Sequence, residues 1–324
     1  MSLHIIKQGL FDTLQDMGRY GYQHLGINPG GAMDLTALRV ANMLVGNDPS
    51  EPVIEMHFPA AEIKFDSTAL VALAGADLSA SVNGVTVPVH TPFIIQKDAV
   101  LHFGKKEMGT RIYLAVCGGF AADEWLGSYS THTKVQMGGF KGRVLQKNDR
   151  ISFKEKQPAL PADQDVQIFS WRANVSGLYT ANMLRFIPGN EYWSLDETAK
   201  HKLEKEDFII SRENDRMGYR LSGVSLQLSK PTEMISTAVT RGSMQLLPDG
   251  QLIILMADHQ TTGGYPRIGH IISADISSLA QMQPGDRFTL HQVTLAEAES
   301  LLYKQQMDLQ QLQNACNFHL QAYL

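Results

Sequence analysis

The densest group of chemically able side chains follows an apolar run. Leu252-Ile253-Ile254-Leu255-Met256-Ala257 leads straight into Asp258-His259-Gln260-Thr261-Thr262-Gly263-Gly264-Tyr265-Pro266. A buried strand that ends in a carboxylate, an amide, two hydroxyls and a glycine pair gathers donors and acceptors on one rim. Such a rim suits a planar amide, urea or lactam, whose carbonyl oxygen needs donors and whose N–H needs an acceptor. Asp258, Gln260, Thr261 and Thr262 are the candidate catalytic residues, with Asp258 as base or N–H acceptor. Gly263, Gly264 and Tyr265 are candidate substrate contacts. A structural loop explains the same residues, with Gly263 and Gly264 supplying positive φ and the threonines capping. His259 is expected to be exposed.

Three arginines accompany the polar, glycine-rich clusters: Arg19, Arg216 and Arg220. A guanidinium grips a carboxylate or phosphate through a bidentate fork, so each is a candidate substrate-binding group. Salt bridges to Asp16, Asp34 or Asp215 would use them structurally instead. Ser128, Ser130 and Thr131 offer hydroxyls and backbone amides to an anion, and Arg143 joins them as a candidate anion-binding residue. A Ser/Thr-rich turn is the structural alternative.

Positioning these residues falls to a mainly β chain. Ser79 to Val87 alternates around Asn83-Gly84, a hairpin signal, because both turn residues tolerate positive φ. A turn-then-strand unit recurs at Gln96-Lys97-Asp98, Gln146-Lys147-Asn148-Asp149 and Gln283-Pro284-Gly285-Asp286. Two β-rich lobes, residues 1–157 and 158–324, are expected on either side of a polar, proline-containing linker at 154–165. Helices are few. Residues 34–45 carry a helical apolar period, with Asp34 as N-cap and Gly46-Asn47 as stop. Residues 294–312 open on a Thr294/Glu297 capping box. A third helix is expected over 195–205.

Composition narrows the classes. With 44% hydrophobic and 19% charged residues, the chain can bury a sizeable core. Its formal charge of −5 gives no reason to expect a nucleic acid or an anionic membrane as partner. Cys117 and Cys316 read as free thiols, and the longest apolar run is far too short for a bilayer. Residues 1–8 show no targeting pattern, so a cytoplasmic location is expected. The motifs of a phosphate loop, a zinc helix, a nucleophile elbow and a biotin-attachment site are all missing from the sequence, and no metal is expected.

Taken in order, the clusters resemble the allophanate hydrolase subunit 2 family, a carboxyltransferase-like group. They are Gln15-Asp16-x-Gly18-Arg19-x-Gly21, Gly31-Ala32-Met33-Asp34, Ala41-Asn42, Gly118-Gly119, Gly127-Ser128-x-Ser130-Thr131, Gly139-Phe140-x-Gly142-Arg143, Asp215-Arg216-Met217-Gly218-x-Arg220-Leu221 and Gln260 to Pro266. Within it, the resemblance is to the branch that serves ATP-hydrolysing 5-oxoprolinases. Asn148-Asp149 departs from the usual Gly-Asp turn, and Thr240-Arg241-Gly242-Ser243 from a Pro-Gly-Ala type turn. The resemblance implies lobes of cyclophilin-like β-barrel character. It implies two partners, an allophanate hydrolase subunit 1 homologue and a TIM-barrel-like third subunit, and a small lactam or amide substrate.

Three functions follow from that resemblance. One is a subunit of a 5-oxoprolinase that hydrolyses 5-oxoproline to L-glutamate with ATP used by the complex, the chain being inactive alone. Another is a biotin-dependent carboxyltransferase acting on a urea or amide, with no biotin attached to this chain. The last is a non-enzymatic regulatory partner of a subunit 1 homologue of kinase-inhibitor type.

Overall fold

The computed structural model describes residues 1–158, 164–230 and 234–322. The middle of the expected linker, residues 159–163, lies outside the described residues. The chain forms two compact units. One comprises Met1–Arg19, Gly30–Ser176 and Asp308–Leu324; the other comprises Tyr20–Pro29 and Gly177–Met307. Both are β-rich, as the sequence pattern predicts.

The first unit holds two six-stranded antiparallel sheets. One runs in the order Arg150–Ser152, Ser2–Lys7, Glu62–Phe65, Val100–Phe103, Ala80–Val82, Val85–Thr86. The other runs Val166–Ile168, Pro92–Ile95, Ala69–Asp77, Met108–Val116, Val53–His57, Thr13–Gln15. Alternate residues of both sheets, among them Leu3, Ile5, Ile63, Leu101, Val71, Leu73, Ile112 and Leu114, meet in one core. The helix Leu35–Leu44 lies against Ala69–Asp77 and Met108–Val116. Small buried residues there, Ala72, Ala74 and Ala115, let it approach. Asp34 caps this helix as expected, its side chain accepting from the Ala37 N–H at 2.9 Å. The Asn83-Gly84 hairpin forms with both residues at positive φ, 47° and 88°.

The second unit is a closed seven-stranded barrel. Its order is Met183–Pro188, Arg267–Ile271, Ser243–Leu246, Leu252–Leu255, Gly218–Ser222, Phe208–Asn214, Arg287–Gln292. Parallel pairing of the first and last strands, with Leu184 opposite Leu290, closes it and leaves no open edge. A separate ribbon, Thr237–Ala238 paired with Thr262–Gly263, stands outside the barrel. Asp196 caps the helix Glu197–Lys205. The capping box also forms: the Thr294 N–H donates to Glu297 at 2.8 Å and the Glu297 N–H to Thr294 Oγ1 at 3.2 Å. The helix it starts, Leu295–Leu320, runs eight residues past the expected end, because no helix breaker stands in 313–320. The short helix Ile276–Ala280 is absent from the sequence-based expectation, being too brief to show a period.

The recurring turn is the same physical object each time. In two copies the Gln N–H donates to the Asp three residues on, Gln146 to Asp149 at 2.7 Å and Gln283 to Asp286 at 2.9 Å. The third turn residue sits at positive φ in all three: Asp98 at 69°, Asn148 at 74°, Gly285 at 93°. Its N–H donates to a neighbouring strand at Phe65, Ile5 or Ile210, and that same strand residue donates back to the residue after it.

Candidate functional site

The expected site residues divide between the two units. In the second unit, pairing of Gly218 with Leu255 sets the strands Gly218–Ser222 and Leu252–Leu255 side by side. The contact continues beyond the strand end, where the Asp258 N–H donates to the Arg216 carbonyl at 2.7 Å. Two candidates are thereby joined: Arg216 Nε and Nη2 reach the Asp258 carboxylate at 2.9 and 3.2 Å. Arg216 is 9% exposed and Asp258 26%, so the pair is sheltered but open to a ligand on the carboxylate side. Asn28 anchors the same place by donating to the Asp258 carbonyl at 3.0 Å, and its Oδ1 is a buried acceptor with no hydrogen-bond partner among the described residues.

His259 corrects an expectation. It is 1% exposed, not solvent-facing, and its Nδ1 lies 2.5 Å from the Gln260 carbonyl. Burial holds its imidazole below the ordinary value, against the raising effect of that hydrogen bond; the Arg241 charge adds to the lowering. His270, on the strand Arg267–Ile271, is lowered by burial and then by His259.

Gln260 points its amide at Gln245, Nε2 to Oε1 at 3.3 Å. Gln245 is fully buried, and its own Nε2 has no hydrogen-bond partner among the described residues. Neither Gly263 nor Gly264 is among the positive-φ residues, so the turn-chemistry explanation of that pair does not hold. Gly263 is glycine for space: an added Cβ would stand 2.4 Å from Gln245 Nε2. Thr261 is half-buried and Thr262 exposed.

Further along, the loop serves another place. Gly264, Tyr265 and Pro266 line a cavity of ≈ 550 Å³ with Leu246–Gly250 and Ser225–Leu228. Arg220 sits on that side: it bonds Gln251 at 2.7 Å and pairs with Glu213 and with Asp249, which lines the cavity. Arg220 is therefore at the opposite end of the strand Leu252–Leu255 from Arg216.

In the first unit the anion that meets the serines is internal. The Asp16 carboxylate accepts from Ser128 Oγ at 2.7 Å, from Ser130 Oγ, from the Tyr129 N–H at 2.6 Å and from the Gly18 N–H at 2.8 Å. Thr131 Oγ1 donates to the Leu14 carbonyl at 2.9 Å. Arg19, 1% exposed, donates to the Ser130 carbonyl and lies 4.7 Å from the centre of the Trp125 ring. Arg143 is committed to Asp149 at 2.7 and 2.8 Å, which braces the turn at 146–149. With these donors engaged, this set does not fit the phosphates of ATP. Among the described residues no group of three or more His, Cys, Asp or Glu could hold a metal ion, and no helix is long and apolar enough to cross a membrane.

Gln245 and Asn28 stand beside the candidate loop, and motif and spacing do not single them out. Gln245 does leave a signal: a carboxamide inside the run Ser243-Met244-Gln245-Leu246-Leu247, which reads as a buried strand. Asn28 leaves none.

The profile of the carboxyltransferase domain, subdomains A and B, matches residues 25–292. The chain belongs to this carboxyltransferase-domain family. Within it, the chain is 36% identical to a 5-oxoprolinase subunit of Escherichia coli, over 96% of this chain and 97% of that protein. It is 33% identical to the 5-oxoprolinase subunit of the same designation in Haemophilus influenzae, over 93% and 94%. The crystal structure of the K. lactis urea amidolyase shares the carboxyltransferase-domain fold at TM-score 0.87 and 23% identity, covering 96% of this chain but 20% of that much longer one.

Proposed function

We propose that this carboxyltransferase-domain chain is a subunit of an ATP-dependent 5-oxoprolinase, which opens the lactam of 5-oxoproline to L-glutamate. The supporting observation is end-to-end likeness to two bacterial 5-oxoprolinase subunits at 36% and 33% identity, whereas the chain corresponds to a fifth of the urea amidolyase. The geometry agrees with an amide substrate. Around Asp258 to Gly263 stand a carboxylate held by Arg216, a buried acceptor on Asn28 and a buried donor on Gln245.

In this reading the Asp258 carboxylate accepts the lactam N–H, and Arg216 holds that carboxylate in place. The half-exposed Gln260 and Thr261 line the approach. ATP supplies activation: its terminal phosphoryl group would pass to the lactam oxygen with ADP leaving, water would add to the carbonyl carbon, the C–N bond would break with the nitrogen taking a proton, and phosphate would be released by hydrolysis. ATP belongs to a site completed by other subunits. The partners are an allophanate hydrolase subunit 1 homologue and a TIM-barrel-like protein.

The test is ATP turnover with 5-oxoproline, first with this chain alone and then with both partners. Glutamate and ADP are expected from the full set only. A stable three-protein complex that leaves 5-oxoproline untouched would sink the proposal and favour carboxyl transfer or a regulatory role. Asp258→Ala in the assembled complex is expected to lower kcat/KM on the order of a hundredfold.

A further inference from the structure

We propose that Gln245 is a substrate-binding residue whose Nε2–H donates to the carbonyl oxygen of the bound lactam or amide. That oxygen takes the place now covered by the strand Thr262–Gly263, once the strand lifts. This rests on the 5-oxoprolinase reading and names the donor that reading lacks.

Three observations converge on it. Gln245 is 0% exposed, and its Nε2 has no hydrogen-bond partner among the described residues, although a buried amide donor left unmade is costly and uncommon. Its Oε1 is tied to Gln260, so the side chain is held with the nitrogen directed at Gly263. An apolar residue of the same length would fill the position without that cost; the acceptor is already used by Gln260, so what the amide still has to offer a ligand is its N–H.

The cover is also suited to move. Gly263 lies directly on the amide, and the strand Thr262–Gly263 is held to Thr237–Ala238 by two residue pairs, with one further bond from the Val239 N–H to the Thr261 carbonyl at 3.1 Å. The ribbon is not part of the closed barrel, so lifting it breaks no barrel pairing. Gln245, by contrast, sits on Ser243–Leu246, paired on both sides with Leu252–Leu255 and Arg267–Ile271. A rigid strand thus carries the donor and a loose ribbon guards it, which is how a site is kept both pre-organised and accessible.

The experiment uses the assembled complex with 5-oxoproline and ATP. Gln245→Met keeps length and removes the donor together with the acceptor that meets Gln260. Its KM for 5-oxoproline should rise roughly ten- to a hundredfold, while the KM for ATP stays unchanged and the thermal midpoint stays level or rises. Gln260→Met, which removes that second contact alone, should raise the KM for 5-oxoproline less. A purely structural glutamine at 245 would lower the midpoint and leave the KM for 5-oxoproline alone. Gly263→Ala, which drives a methyl at the amide, should raise the same KM and decides the matter if Gln245→Met does not fold. Turnover with a wild-type KM in the folded variant would overturn the role of Gln245 and leave the oxoprolinase reading standing. A wild-type complex that never turns over 5-oxoproline would overturn both.

Discussion

At the scale of single residues, the chain spends many of its charges on itself. Asp16 collects two serine hydroxyls and two backbone N–H groups, so it organises the Ser128–Ser130 turn as an external anion would. Asp16→Ala is expected to cost roughly 3 kcal/mol, since it strands several buried donors at once; denaturant unfolding measures it. His90 provides a pH test. Burial, helped by Arg172, pushes its imidazole down to about 4, and Nε2 accepts from the Gly75 N–H at 3.3 Å. Below its ordinary value of 6.5 the unfolded chain takes up a proton that the folded chain refuses. Its stabilisation is therefore complete above pH 6.5 and is lost as pH falls towards 4, about 3 kcal/mol in all. Asp12, raised to about 7 by burial, acts in the opposite sense over the same range. The difference between wild type and His90→Asn isolates the histidine: unfolding curves from pH 7 to 4 should converge for the two proteins. Parallel curves would refute the assignment.

At the scale of elements, local rules succeeded for helix starts and for the recurring turn. Asp34, Asp196 and Thr294 with Glu297 cap their helices because the groups concerned lie within three residues of one another. The recurring turn was legible because its chemistry is carried by four consecutive residues. Asn148 occupies the left-handed position that Gly285 holds in the second unit, and the cost of a side chain there is conformational, because nothing lies within 4 Å of a Cβ built on Gly285. Gly285→Ala should then destabilise by about 1 kcal/mol, while Asn148→Gly should change stability by no more than about 0.5 kcal/mol. Thermal unfolding of the two variants side by side is the measurement. Equal losses would mean that side-chain contacts, not backbone conformation, govern the turn.

At the scale of the whole molecule, the carboxyltransferase-domain family is the frame, and assembly is the open variable. Ser128, Ser130, Thr131 and Arg143 spend their donors inside the first unit, and no phosphate-loop motif occurs in the sequence. The chain by itself is accordingly expected to hydrolyse no ATP in the presence of 5-oxoproline. Coupled ADP detection on the purified chain checks this, and turnover by the single chain would require an ATP site that these residues do not form.

What the sequence by itself determined was each feature whose cause lies within a few residues. These are the β-rich class, the caps, the Asn83-Gly84 hairpin, the three turns and the polar loop after a buried strand. Only the tertiary structure decided which distant groups meet. It paired Arg216 with Asp258, sent Arg220 to Asp249 at the far end of the same strand, and set Gln245 under Gly263. It also turned Gly263 from a turn residue into a packing one, and buried His259. Hydrogen-bond partners and desolvation depend on strand register and barrel closure, which join residues far beyond the reach of a turn or a helical repeat and leave no mark on local spacing.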